Sequence, residues 1–192
     1  YFLITMLLIG LICLYQLNVY TWFVAVSAIP LIILYPLAKR FTKWPQIILG
    51  LTFSWAVPTA WSAANEKWNL GIFIMYLATV FWIIGYDTIY GCQDKNEDEI
   101  FGIKNSAVSA KNFLTLFVGS SYSIMFCLLI ISGYLLNNNI FWYIGVSICG
   151  LHLTYQVIKI KNIEQNNPLQ IFKSNVVLGL LLTLSSLGNY IS

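Results

Sequence analysis

Residues 83–107 read IIGYDTIYGCQDKNEDEIFGIKNSA. An apolar run passes without a break into a dense acidic one. The whole chain of 192 residues has only seven Asp and Glu. Five of them, Asp87, Asp94, Glu97, Asp98 and Glu99, fall within thirteen positions of this stretch. The apolar half bears on where the chain lives. The acidic half bears on what it meets there.

The composition extends the apolar half to the whole protein. Apolar residues make up 59% of the chain, charged residues 9%, and the mean hydropathy is +0.76. A soluble domain carries about 25% charged residues. This chain cannot cover itself with water-compatible surface, so it belongs in a lipid bilayer. Its net charge of +3 suits the inner face of a membrane. A nucleic-acid partner would call for a clustered basic patch on a soluble domain, and none is present. Cys13, Cys127 and Cys149 lie in apolar runs, where a free Cys behaves as a small hydrophobe. Cys92 has no CxxC or His partner near it. The opening YFLITMLLIGLICLY lacks an initiator Met and a basic n-region, so it is not a signal peptide. It reads as a protein entered partway.

A bilayer core needs about 20 mostly apolar residues per helix, with a range of roughly 17–25. Seven segments qualify as candidates: 2–16, 18–38, 46–64, 70–90, 112–136, 140–160 and 169–190. The first is short, as truncation would make it. The expected fold is an all-α integral membrane protein, a multi-helix transmembrane bundle forming one domain over 1–192. Its polar loops fall at about 39–45 and 91–111. NEKWN at 65–69, NNN at 137–139 and EQNNP at 164–168 read as turns. Alternating the gaps puts Lys39, Arg40, Lys43, Lys95, Lys104, Lys111, Lys159, Lys161 and Lys173 on one side and only Lys67 on the other. That asymmetry is a strong positive-inside signal. It makes the lysine-rich side cytoplasmic.

Continued as a helix, the opening stretch stacks Asp87, Tyr90, Asp94 and Asp98 on one face, at spacings of three, four and four. Like charges at i, i+4 destabilise a helix, and a carboxylate near hydrocarbon costs more. A shared cation resolves the conflict. Mg²⁺ takes oxygen ligands, usually one or two carboxylates with substrate phosphate and water. The stripe therefore points to a diphosphate or triphosphate substrate. A charge run is ordinarily a solvated loop, and Glu97 and Glu99 fit that description. Asp87, directly after FWIIGY, fits it badly.

A basic cluster, YPLAKRFTKWPQ at 35–46, lies on the same side. Positive-inside anchoring accounts for Lys43. Lys39 and Arg40 also suit an anion clamp, Arg as a planar fork and Lys as a point charge.

At these residues the chain resembles the UbiA-type intramembrane aromatic prenyltransferases, and more narrowly the 4-hydroxybenzoate polyprenyltransferases of ubiquinone synthesis. YDTIYGCQDKNEDEIFGIKNSA looks like their second aspartate-rich motif. YPLAKRFTKWPQIILGLTFSW is similar to their YPxxKR segment. The likeness runs over essentially all 192 residues. The family has nine transmembrane helices, and the seven segments match its third to ninth. Its first motif, of NDxxDxxxD type, has no counterpart, so the resemblance implies a C-terminal portion lacking half of the metal–diphosphate site.

The resemblance implies Mg²⁺ held by Asp94 and Asp98 with Asp87 assisting. Lys39 and Arg40 would add positive charge, and Tyr35, Tyr90 and Lys104 would join them against substrate. Arg40 has a second possible role as clamp for the acceptor carboxylate. The implied partners are polyprenyl diphosphate, 4-hydroxybenzoate and the bilayer. The implied place is a bacterial inner membrane, or the mitochondrial one. A cation transporter would instead show ionisable residues at mid-membrane and an inverted repeat, and neither is visible.

Outside the motifs, His152 is expected to make a packed or interhelical hydrogen bond. Most Trp residues lie near segment ends, as interfacial belts require. Trp55 and Phe53 are exceptions, with core packing the expectation and cavity lining the alternative. Pro30 and Pro58 are expected to kink their helices, and Pro36 to lie near a helix end.

Overall fold

The structure, a computed structural model, describes residues 1–65, 67–163 and 165–188. Among them the chain forms helices joined by short turns, with no strand. In order they are α1 (Phe2–Tyr15), α2 (Val19–Val26), α3 (Ile29–Phe41), α4 (Pro45–Ser54), α5 (Ala56–Ala64) and α6 (Leu70–Tyr90). Then come α7 (Lys95–Phe101), α8 (Ser106–Ser109), α9 (Leu114–Leu135), α10 (Ile140–Ile160), α11 (Pro168–Lys173) and α12 (Asn175–Leu187).

Among the described residues, six stretches are long and apolar enough to cross a membrane: Val19–Phe41, Pro45–Ala64, Leu70–Tyr90, Leu114–Leu135, Ile140–Ile160 and Pro168–Leu187. The first of the seven expected segments is the apolar helix α1, of 14 residues. The last two residues of the expected 169–190 segment lie outside the described residues. So do Glu66 and Glu164, within two of the expected turns. The outer faces are apolar in the way lipid requires. Leu116 is 71% exposed and Leu151 74%.

The boundaries follow from local chemistry. Asn18, Asn69, Asn139 and Asn167 each sit before a helix and accept a backbone N–H of its first turn. A short amide side chain is among the best N-caps. The prolines behave differently from expectation. A proline ring clashes with the carbonyl four residues earlier. For Pro30 that residue is Val26, the last of α2. For Pro58 it is Ser54, the last of α4. Both spans are therefore divided into two helices at those points. Pro36 lies inside α3.

Helix α6 is the centre of the bundle. It packs most extensively against α9, and on other sides against α4, α5 and α11. Helix α9 continues to α10, and α10 to α12. The core between them includes Val118, Tyr122, Met125, Val146, Cys149, Leu153 and Leu178. Polar groups inside it are paired across helices. The Tyr122 hydroxyl donates to Gln156 Oε1 at 2.6 Å. Gln156 Nε2 donates to Ser174 Oγ at 3.1 Å, and His152 Nε2 lies 3.0 Å from the same oxygen. His152 thus makes the interhelical bond expected of it.

Candidate active site

The acidic stretch hangs from the end of α6. The expected single stripe of Asp87, Tyr90, Asp94 and Asp98 is not formed, because the helix stops at Tyr90 and restarts at Lys95. The cause is local. Continuing α6 would have the Gly91 carbonyl accept from the Lys95 N–H. That carbonyl instead accepts from Asn105 Nδ2 at 3.1 Å. The break parts Asp87 and Tyr90 from the other two acids, while Asp94 and Asp98 stay one turn apart, the Asp98 N–H donating to the Asp94 carbonyl at 2.8 Å. Helix α7 then ends at Gly102, whose φ of +65° is left-handed, a conformation that glycine adopts freely. The Ile103 N–H closes the turn on the Asp98 carbonyl at 2.9 Å.

Asp87 is half-buried on α6, within reach of the Gln46 side chain and of the charge on Lys39, and close enough to Tyr35 to act on it. Tyr35 and Lys39 are four residues apart on α3, so they share a face. The structure therefore brings Tyr35, Lys39 and Asp87 together. Arg40 is exposed. Lys104 reaches its backbone, with Nζ 3.1 Å from the Arg40 carbonyl. The expected 39–45 loop is shorter than read, since Lys39 and Arg40 form the last turn of α3.

Asp98 is buried, 7% exposed, and its Oδ2 accepts from Asn105 Nδ2 at 2.8 Å. Asp94 is exposed on the turn, and its carboxylate makes no hydrogen bond or ion pair among the described residues. Tyr90 turns aside to Phe172 of α11, with ring centroids 4.9 Å apart. Glu97 and Glu99 face solvent, and Glu99 pairs with Lys111 at 3.0 Å. Cys92 is a packing residue. Its thiol donates to the Thr88 carbonyl at 3.4 Å, and burial pushes that thiol up to about 11 despite the opposing charge of Lys95.

Among the described residues, no three or more His, Cys, Asp or Glu gather closely enough to hold a metal ion by themselves. Mg²⁺ bound together with a phosphate needs only one or two carboxylates. The donors present meet that requirement. Asp94 has both carboxylate oxygens uncommitted, and Asp98 accepts a hydrogen bond through Oδ2 alone.

Two residues were missed in the sequence because they carry no charge. Gln46 and Asn105 are 4% and 3% exposed, and they join the basic segment to the acidic one. Gln46 Oε1 accepts from the Ser106 N–H at 3.0 Å and from the Ser106 hydroxyl. Its Nε2 donates to Asn105 Oδ1 at 3.1 Å. Both sit inside the quoted motifs, but a search guided by charge passes over neutral amides.

Comparison with known proteins fits this arrangement. The UbiA prenyltransferase family matches residues 1–184. A Francisella tularensis subsp. novicida protein named 4-hydroxybenzoate octaprenyltransferase is 37% identical over 188 residues, covering 98% of this chain and 66% of its own length. A Dictyostelium discoideum protein named mitochondrial 4-hydroxybenzoate polyprenyltransferase is 38% identical over 173 residues, covering 86% of this chain and 36% of its own length. The chain therefore spans just under two thirds of the Francisella relative. No solved structure matches it. With a family match across nearly the whole chain and the family's two polar segments meeting at one end of an apolar bundle, the protein belongs to the UbiA prenyltransferase family.

Proposed function

We propose that the protein transfers a polyprenyl group from a polyprenyl diphosphate to 4-hydroxybenzoate, ortho to its hydroxyl, in ubiquinone biosynthesis. The observation that carries this reading is the junction of the basic and acidic segments through Gln46, Asn105 and Ser106, which leaves Tyr35 and Lys39 within electrostatic range of Asp87 at one end of the bundle. The names of the relatives supply the acceptor and the donor class.

Charged groups at the end of an apolar bundle suit a charged head on an apolar tail. Lys39 and Arg40 offer positive charge to the diphosphate, with Arg40 free to take the acceptor carboxylate instead. Lys104, whose Nζ meets the Arg40 carbonyl, and Tyr90, at the end of α6, complete the substrate contacts in this reading. Asp94 and Asp98, with Asp87 assisting, are the residues that would hold Mg²⁺. When bound, the ion supplies positive charge against the departing diphosphate. The allylic C–O bond breaks, and the diphosphate leaves with its electron pair. The ring forms the new C–C bond and then loses its proton. Apolar walls keep water from the allylic cation. The tail extends among helices open to lipid, which accounts for a transferase built inside a bilayer. We place the motif segments on the cytoplasmic or matrix side of the bacterial or mitochondrial inner membrane, with residues 1–192 acting as one transmembrane unit.

The test is Mg²⁺-dependent prenylation of labelled 4-hydroxybenzoate in membranes containing the protein. Asp94→Ala is expected to lower the rate by at least about 100-fold, the scale of removing one group that stabilises developing charge. Failure, with every prenyl chain length tried, of the protein supplied together with the first aspartate-rich segment that the resemblance calls for would overturn the reading. Preferential labelling of another aromatic acceptor in competition would reassign the acceptor.

A further inference from the structure

Gln46 and Asn105 form a buried bridge whose direction is set from both ends by the backbone. The Ala107 N–H, which can only donate, lies 3.0 Å from Asn105 Oδ1. The Gly91 carbonyl, which can only accept, lies 3.1 Å from Asn105 Nδ2. These two groups fix the Asn105 amide in one orientation. Likewise the Ser106 N–H faces Gln46 Oε1 at 3.0 Å. The Gln46 Nε2 must then point to Asn105 Oδ1, and it does, at 3.1 Å.

Each amide also has a hydrogen to give to a carboxylate. Asn105 donates to Asp98 Oδ2 at 2.8 Å. The Gln46 side chain lies within hydrogen-bonding reach of Asp87. Asp87 belongs to α6 and Asp98 to α7, and the helix break at Gly91 leaves no continuous backbone helix between them. The bridge is the direct side-chain path that relates one carboxylate to the other. It also ties both to α4, which follows the Lys39 and Arg40 segment.

We propose that Gln46 and Asn105 are positioning residues that set the placement of Asp87 and Asp98 toward a divalent cation bound with a diphosphate. This rests on the prenyl-diphosphate reading of the site. Neither amide touches the reacting atoms. Hydrogen bonds to ligating carboxylates orient them, and losing such a partner typically costs about 10- to 100-fold in metal affinity. The two amides share one network, so their effects are not independent.

The experiment follows thermal unfolding of the purified protein in detergent while Mg²⁺ is titrated at fixed inorganic diphosphate. The proteins compared are the unaltered chain, Asn105→Ala, Gln46→Ala, the double variant, and Gln46→Met, which keeps side-chain length and packing. The expected result is a stabilisation by Mg²⁺ with diphosphate in the unaltered protein. Its half-saturating Mg²⁺ concentration should rise about 10- to 100-fold in each single variant, and no further in the double one than in the worse single. Prenylation should show the same shift in Mg²⁺ dependence, with the KM for 4-hydroxybenzoate little changed. Unshifted Mg²⁺ dependence in folded Gln46→Met and Asn105→Ala would overturn the proposal, as would loss of folded protein in every variant, which marks a purely structural bridge. A multiplicative effect in the double variant would overturn the shared network. An unaltered protein that shows no response to Mg²⁺ and diphosphate would instead defeat the underlying site reading, and the proposal with it.

Discussion

A methyl group on Gly91 would meet Asn105 Oδ1 at 2.6 Å and Nδ2 at 2.8 Å. Gly91 has an ordinary right-handed conformation, so space alone demands glycine there. Gly102 presents the opposite case. A methyl group on it would meet nothing within 4 Å, but its φ is +65°. The two glycines should therefore fail differently on substitution by Ala. Gly91→Ala pushes on an amide held at all its donors and acceptors, and is expected to cost about 1–3 kcal/mol and to raise the half-saturating Mg²⁺ concentration as Asn105→Ala does. Gly102→Ala is expected to cost about 1–2 kcal/mol through backbone conformation with Mg²⁺ dependence unchanged. Thermal unfolding with and without Mg²⁺ and diphosphate separates the two. At this scale the sequence was legible where charge marked it. Asp87 stood out because an acid directly after FWIIGY has no cheap solvated fate. Gln46 and Asn105 did not, because their importance lies in partners 59 and seven residues away, and no local pattern announces them.

The seam between α6 and α9 depends on close approach. A methyl group on Gly85 of α6 would run into the ring of Tyr122 on α9. Tyr122 is 3% exposed and held by Gln156, so it has nowhere to move. Gly119, also on α9, is different, because its methyl group would only touch Val157 at 3.6 Å. Gly85→Ala is expected to destabilise the protein by about 1–3 kcal/mol, and Gly119→Ala by under about 0.5 kcal/mol. The melting temperatures of the two purified variants check this. The existence of these helices was readable from their apolar length, which the bilayer imposes. Their interruptions were readable only in part. Pro30 and Pro58 were seen as disturbances, but whether a proline bends a helix or ends it depends on how the freed carbonyl is satisfied in the fold. The acidic stripe failed as a helix for a similar reason, since Asn105 takes the carbonyl that would have continued it.

The charge asymmetry is a property of the whole molecule. Lys43 and Lys67 flank the span Pro45–Ala64, so they are expected on opposite sides of the membrane. In sealed vesicles a membrane-impermeant thiol reagent should label Lys43→Cys and Lys67→Cys from opposite faces. Labelling of both from the same face would contradict the orientation drawn from the lysines. The bundle as a class was legible because composition leaves a chain this apolar few alternatives.

The pairing of Tyr122, Gln156, Ser174 and His152 bears on how such a bundle is put together. Spans enter a membrane in the order in which they are synthesised, and a polar side chain in lipid needs a partner. When α10 arrives, Gln156 finds the Tyr122 hydroxyl already in place on α9. The Gln156 amide hydrogens and the His152 imidazole have no such host until Ser174 comes with the next span. Assembly is thus left open by two unsatisfied groups on α10, and the helix that carries Ser174 into place is the one that latches it shut.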